Sequence, residues 1–411
     1  MNAASREKAP ESLKKICFIS LKSYDLLSHS AEPSFIGGAE RQQVLVGRGL
    51  RELGYDVSFI TLGPDRAGDT WCDGIRVLRA YDPNRGFPGL RALMPRWTGL
   101  WSAMHRANAD IYHQMCADME TGQVAGWCRR HGRKFIFSVA SDADCDSKLP
   151  LLRTRRQRWF YRYGLRHADR VITQTTLEQS ALKRSFGIDS TIIQSCALDA
   201  ASPISLESQC PKGKRPCLLW VSRIVPLKRL EWFLAVAEKC PNYDFVVAGG
   251  GDEEDPYVRK VLSKAAQISN VRVLGRVPDP ELWRAYGRAD LLLDTAAIAG
   301  VPTTFLEAWA HGVPVVSTVD LDGALENNRI GIVVSSIEGM VRTVSYLLTD
   351  PATWMAYSRS SRAYYVNHHT VGAVCRRYVE LLEGMYASQG KSGFHRQAIV
   401  ASAPAADRRR C

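Results

Sequence analysis

Short apolar runs alternate with amphipathic stretches along most of the chain. The run KICFIS (15–20) predicts a buried strand. It is followed by GGAERQQVLVGRGLRELG (37–54), whose apolar residues recur at helical spacing up to a closing glycine. DVSFITLG, DIYHQM, KFIFSVA and RVITQT predict further strands, with a helix over METGQVAGWCRRHG and a basic helix over 153–170. Strands that alternate with helices give parallel sheet and a doubly wound α/β domain. The pattern breaks at SCALDAASPISLESQCPKGKR (195–215), rich in Ser, Pro, Gly and Lys, which predicts an interdomain linker.

Beyond the linker the alternation restarts. PCLLWVS, YDFVVAGGG, VRVLGRV, DLLLDTA, VPVVST and GIVV predict strands. LKRLEWFLAVAEKC, PYVRKVLSKAAQI, DPELWRAYGRA and TTFLEAWAHG predict the intervening helices. The expectation is α/β throughout: two tandem Rossmann-like doubly wound domains facing a central cleft. The N-terminal one spans 14–198 and the C-terminal one 214–375, with a terminal helix over 376–388 and a disordered tail over 389–411. Ligands of open parallel sheets bind beyond the carboxyl ends of the strands, so the cleft is the place to look for a site.

Composition adds little to the fold and more to the setting. The chain has 411 residues, 45% hydrophobic and 23% charged, with a net charge of +12. A basic protein meets anionic lipid, nucleic acid or phosphorylated substrates. The 11 cysteines are an odd number without a C-x-x-C pair, which fits a reducing cytoplasm and argues against a disulfide framework or a zinc site. The N-terminus lacks the apolar segment of a signal peptide, and no run of 18 apolar residues occurs. In the helix over 153–170, Trp159, Phe160, Tyr161 and Tyr163 interleave with arginines. That pattern suits either an anionic membrane surface or aromatics packed inward with arginines in solvent.

Three stretches carry candidate chemistry. Gly37 and Gly38 open a helix, where free N–H groups and the dipole favour an anion, or where a turn simply enters the helix. Arg223 and Lys228 follow a strand end and suit a diphosphate, or are ordinary loop cations. In AIAGVPTTFLEAWAHGVPVVS (297–317), Thr303 and Thr304 offer N-caps, and the N–H groups of Thr304, Phe305 and Leu306 are expected to face the cleft. Glu307, in the first helical turn, either stabilises the dipole or accepts two hydroxyls of a ribose. No G-x-G-x-x-G follows the first strand, the three glycines at 249–251 run into acids, and no P-loop occurs, so nicotinamide and P-loop readings are weak.

Taken in order, GGAERQQVLVGRGLRELGYDVSFIT, WVSRIVPLKRLEWFLAVAEKCPNYDFVVAGGGDEE, VRVLGRVPDPELWRAYGRADLLLD and AGVPTTFLEAWAHGVPVVST resemble the family-4 retaining glycosyltransferases of GT-B architecture. The resemblance runs from Lys14 to Tyr386. It implies that Arg223 and Lys228 bind the donor diphosphate and that Glu307 holds the donor ribose. It implies that the backbone at Thr304–Leu306 receives phosphate or sugar, and that Gly38 faces the donor phosphate. Gly250 and Val277 lie in segments it places around the nucleobase. It implies a nucleotide-diphosphate sugar as co-substrate with no cofactor or metal, a glycan or lipid-linked acceptor, and no nucleic acid. The cysteine usage and the basic aromatic helix, taken with the resemblance, give the expected place as the cytoplasm, peripheral on the inner face of a membrane. Two positions depart from the family. Ala299 stands where the first of two glutamates spaced by seven residues is usual. Ala140 stands where a histidine is common, followed by Ser141, Asp142, Ala143 and Asp144. Asp142 or Asp144 is the candidate to take over that role; His113 is a second candidate, or a packing residue. The alternative to transfer is nucleotide-sugar binding with little turnover, or epimerisation of the sugar.

Overall fold

The computed structural model describes residues 14–29, 37–62, 69–82, 92–198, 215–297, 302–320 and 322–400. Among these, the N-terminal half builds a sheet from β1 (Lys15–Ile19), β2 (Asp56–Thr61), β3 (Thr70–Cys72), β4 (Ile75–Arg79), β5 (Ile111–Met115), β6 (Lys134–Ser138), β7 (Arg170–Thr173) and β8 (Thr191–Ile192). Its order is β3-β4-β2-β1-β5-β6-β7-β8, parallel except for the β3–β4 pair. The second sheet comprises β9 (Cys217–Val221), β10 (Asp244–Ala248), β11 (Val271–Gly275), β12 (Leu291–Asp294), β13 (Val315–Ser317) and β14 (Gly331–Val333). Its order is β11-β10-β9-β12-β13-β14, all parallel. The central strands are buried on both faces, β5 at every residue and β12 likewise, which is why they read as unbroken apolar runs.

Glycines set the closest packing. A Cβ on Gly122 would come within 2.5 Å of the Phe160 carbonyl, and one on Gly164 within 2.4 Å of the Thr121 carbonyl, so the helices 119–131 and 155–166 cross backbone to backbone. That contact turns Tyr161 into the core and leaves Trp159 outside, 59% exposed, along with Arg155, Arg156, Arg162 and Arg166.

The terminal helix differs from the sequence expectation. It begins at Val371 and runs to Val400, rather than over 376–388. Val374, Cys375, Tyr378, Leu382 and Met385 pack with Ile16, Val44, Val57 and Ile111, so this stretch of the helix belongs to the core of the N-terminal domain. Residues 401–411 of the expected tail, and most of the linker (199–214), lie outside the described residues. The sequence pattern also did not expose β3, β4 and β8: β3 and β8 are edge strands of three and two residues, and β4, the inner neighbour of β3, has its buried Ile75, Val77 and Leu78 interrupted by arginines.

Candidate active site

The carboxyl ends of β9, β10, β11 and β12 share one edge because the strands are parallel. The loop after β9 carries Arg223, and the glycines after β10 hold it. Ser222 N–H donates to the Ala248 carbonyl at 3.2 Å and Ile224 N–H to the Gly250 carbonyl at 2.9 Å. Gly249 has φ +148° and its N–H donates to the Gly275 carbonyl at 2.8 Å. A Cβ there would sit 1.8 Å from the Ser222 carbonyl oxygen. The glycine run therefore shapes the backbone behind Arg223. Gly250 and Val277 follow the ends of β10 and β11 on this edge, and neither they nor Arg223 and Lys228 line the cavity described below.

Lys228 ends a short 3-10 turn, Pro226–Lys228. Its neighbour Arg229 is in the left-handed region at φ 47° and is spent on structure. Arg229 Nε donates to the Thr295 carbonyl at 2.7 Å, and Nη2 donates to the Ala296 carbonyl and Thr318 Oγ1, both at 3.0 Å. Thr295 Oγ1 donates to the Lys228 carbonyl at 2.7 Å. The loops after β9 and β12 are thus stapled together and Lys228 is fixed through its backbone. Among the described residues neither the Lys228 amine nor the Arg223 guanidinium has a hydrogen-bond or ion-pair partner, which leaves both charges for a ligand. Buried Asp294 feels Lys228: burial raises its carboxyl pKa and the nearby cation opposes the rise.

The helix Thr303–Ala310 corrects one expectation. Its N-cap is Pro302, with no side-chain cap, so Thr303 and Thr304 are helical residues and not caps. Phe305 N–H donates to the Pro302 carbonyl at 3.0 Å and does not face the cleft as a free donor. The Phe305 and Leu306 side chains are fully buried. What faces outward is Thr303. Opposite it, the helix Gly38–Glu52 also begins without a side-chain cap, at Gly37. A Cβ on Gly38 would lie 3.8 Å from Thr303 Cγ2. Two uncapped helix N-termini, one from each domain, therefore meet across the cleft, and both concentrate positive potential there.

Gly38, Arg41, Gln42, Ala140, Gln174, Trp283, Thr303 and Glu307 belong to the lining of a cavity of about 90 Å³ at this junction. Glu307 is 8% exposed. Its Oε2 accepts from the Tyr286 hydroxyl at 2.9 Å and its Oε1 from Arg41 Nη1 at 3.4 Å. Arg41 Nη2 also donates to both carboxylate oxygens of Asp279, at 3.0 and 2.8 Å. Burial raises the Glu307 carboxyl pKa, while Arg41 and the Tyr286 hydrogen bond pull it down and Asp279 pushes it up. Sequence reasoning missed Arg41, Asp279 and Tyr286. Arg41 carried a faint signal, one turn into the Gly-Gly-Ala-Glu helix; the other two had none, because their contact with Glu307 is a tertiary one.

The N-terminal-domain candidates fall elsewhere. Asp142 lies in a four-residue helix and does not line this cavity; partial desolvation and the nearby Asp322 raise its pKa. Asp322, from the C-terminal domain, accepts from Thr176 N–H at 2.6 Å, Thr176 Oγ1 at 2.7 Å and Leu177 N–H at 3.3 Å, a second charged contact between the domains. Asp144 is buried and accepts from Ala140 N–H at 2.9 Å, and burial pushes its pKa up to about 6. It braces the turn rather than facing substrate. His113 is a core residue: Nε2 pairs with Ser138 Oγ at 2.8 Å, and the ring lies between Phe18 and Tyr378. Position 299 lies outside the described residues.

Comparison with known proteins bears on the family and the fold. A family model described as a glycosyl transferase 4-like domain matches residues 37–193, and one described as glycosyl transferases group 1 matches 215–350. An uncharacterized glycosyltransferase of Haemophilus influenzae is 23% identical over 347 residues, covering 79% of this chain and 91% of the relative. A GDP-mannose-dependent alpha-(1-6)-phosphatidylinositol monomannoside mannosyltransferase of Mycobacterium tuberculosis is 25% identical over 205 residues, 45% of this chain and 52% of its own. Among solved structures, sucrose-phosphate synthase from Thermosynechococcus elongatus superposes with a TM-score of 0.71 at 18% identity, over 91% of this chain and 100% of the other. Anabaena HepE, in complex with UDP and glucose, gives 0.67 at 17% identity over 90% and 100%. The two family models meet the two domains seen here one to one, and the chain belongs to the family-4 glycosyltransferases of GT-B architecture.

Proposed function

We propose that this glycosyltransferase is a retaining enzyme that moves a hexose from a nucleotide-diphosphate sugar to a lipid-linked or cell-surface glycan. The observation that carries the reading is the meeting of two uncapped helix N-termini at Gly38 and Thr303, with Glu307 one turn beyond. A diphosphate set between them is stabilised by both helix ends and by the free cations Arg223 and Lys228. As the sugar–oxygen bond breaks, negative charge grows on the leaving diphosphate, and these groups strengthen their hold on it. Glu307 accepts from the ribose hydroxyls and fixes the donor's orientation. No cofactor or metal enters this reading, because the protein's own cations carry the leaving-group charge. The names of the mannosyltransferase relative and of the UDP- and glucose-bound HepE support a hexosyl donor and a lipid-linked acceptor.

The basic helix Arg155–Arg166, with Trp159 turned outward, supports docking on an anionic membrane surface at the inner face. No helix among the described residues is long and apolar enough to cross a membrane. Binding to anionic liposomes that is lost at high salt is the expected result; no binding at low salt overturns the docking. Ala299 favours a second reading, a nucleotide-sugar-binding protein with weak turnover or an epimerase. A thermal-shift screen across nucleotide-diphosphate sugars tests the shared step, since a bound donor raises the melting temperature by mass action. Turnover with an acceptor then separates transfer from binding.

A further inference from the structure

Glu307 is a buried carboxylate that, on the reading above, must be charged to accept two hydroxyls. Burial works against that charge. Among the described residues the groups near it are few: Arg41 from the helix Gly38–Glu52, Tyr286 and Asp279 from the helix Asp279–Arg288, and His311 at the end of its own helix. His311 does not touch the carboxylate. Its Nδ1 pairs with the Glu307 backbone carbonyl at 2.8 Å, and its ring stacks on Tyr286 with centroids 5.6 Å apart. Tyr286 is neutral and fully buried. Arg41 is therefore the only cation among these neighbours, and it comes from the opposite domain.

We propose that Arg41 is a positioning residue for the donor: its guanidinium, anchored on Asp279, keeps Glu307 ionised and oriented for the ribose, and does so only when the two domains are together. The inference rests on Glu307 as the donor-ribose ligand. The anchor is the stronger contact, both Asp279 oxygens lying within 3.0 Å of Nη2, against 3.4 Å for Nη1 to Glu307. Asp279 thus fixes where the guanidinium stands, and the longer contact leaves room on Glu307 Oε1. A carboxylate has about four lone-pair sites, and Tyr286 and Arg41 take two. Two remain for a diol, so Arg41 and ribose can share Glu307. The same helix brings Gly38 to the diphosphate side and Arg41 to the ribose side, one turn apart. Closure of the cleft delivers both at once.

Removing Arg41 leaves the Glu307 and Asp279 carboxylates facing each other without a cation. Glu307 then takes up a proton at a higher pH, and a protonated carboxyl accepts the diol poorly. The test is calorimetric titration of UDP and of GDP from pH 5.5 to 8.5 into the full chain. In Arg41→Ala, affinity falls by about tenfold for each pH unit below a midpoint shifted upward from that of the parent. Arg41→Lys restores part of the parent profile, since it returns the charge without the two-pronged geometry. Adding Asp279→Asn to Arg41→Ala moves the midpoint back down, because the facing carboxylate is gone. A folding defect alone reproduces neither of these reversals. A loss in Arg41→Ala by the same factor at every pH, as a direct phosphate ligand would give, overturns the inference. Unchanged affinity in Glu307→Gln removes the ribose contact itself and overturns both readings. Weakened binding in Glu307→Gln with a pH-independent Arg41→Ala overturns only this one.

Discussion

Gly249→Ala is a sharp perturbation of the donor side, because it touches no group that contacts the ligand in the proposed site. Gly249 stands at φ +148°, a region open to glycine and strained for any residue with a Cβ. The new methyl would lie 1.8 Å from the Ser222 carbonyl oxygen, and both partners are backbone at strand ends. Neither can yield alone. Strained backbone costs of order 1–3 kcal/mol. Three hydrogen bonds tie the same corner together: Gly249 N–H to Gly275, Ser222 N–H to Ala248 and Ile224 N–H to Gly250. Losing one or two adds about 1 kcal/mol each. A destabilisation of roughly 2–5 kcal/mol is expected. Urea unfolding followed by circular dichroism measures it, and titration of UDP and GDP into the folded fraction measures the displacement of Arg223. Gly384→Ala is the control, since its Cβ would meet nothing within 4 Å on the terminal helix. It should leave nucleotide binding unchanged and stabilise slightly, by under about 1 kcal/mol. A Gly249→Ala protein within about 1 kcal/mol of the parent, binding nucleotide normally, refutes the claim that this turn shapes the Arg223 loop.

Tyr286→Phe removes the hydroxyl that donates to Glu307 Oε2, and a hydrogen bond to a charged group is worth about 1.5–3 kcal/mol. Urea unfolding at neutral pH should show a loss of that size, and titration of UDP or GDP a weaker affinity. His113 gives a pH prediction. Burial lowers its pKa to about 3 from the model-peptide value of 6.5. Unfolding takes up a proton between those values, so this contribution is complete above 6.5 and is lost as pH falls toward 3, at up to about 1.4 kcal/mol per pH unit. His113→Phe, in the slot between Phe18 and Tyr378, should flatten that limb of a stability–pH curve measured by urea unfolding.

The strands and most helices were legible from the sequence because buried parallel strands are apolar throughout and their crossover helices keep a 3.6-residue period. β3 escaped as a three-residue edge strand, and β4 because Arg76 and Arg79 break its apolar run. The glycine openings at Gly37–Gly38 and the Arg223/Lys228 pair could be read locally. The role of Gly249 could not, since a run of three glycines does not say which one must hold a positive φ. The return of the terminal helix to the first domain was also hidden: its apolar residues show an inward face, but not which core receives it. Gly49 supplies the reason in retrospect, since a Cβ there would meet Cys375 Sγ at 2.6 Å. The surroundings of Glu307 were the least legible part. Arg41 lies 266 positions away, and Tyr286 is one tyrosine among 15 until the fold brings its hydroxyl to a carboxylate.

The central claim is that the free cations at the carboxyl end of β9 stabilise a departing nucleoside diphosphate. Steady-state release of nucleoside diphosphate from the donor that the thermal-shift screen selects, compared between the parent and Lys228→Ala, tests it most directly. The account predicts a loss of at least about 100-fold in kcat, as expected when roughly 2.7 kcal/mol of leaving-group stabilisation is removed. Undiminished turnover in Lys228→Ala would contradict it.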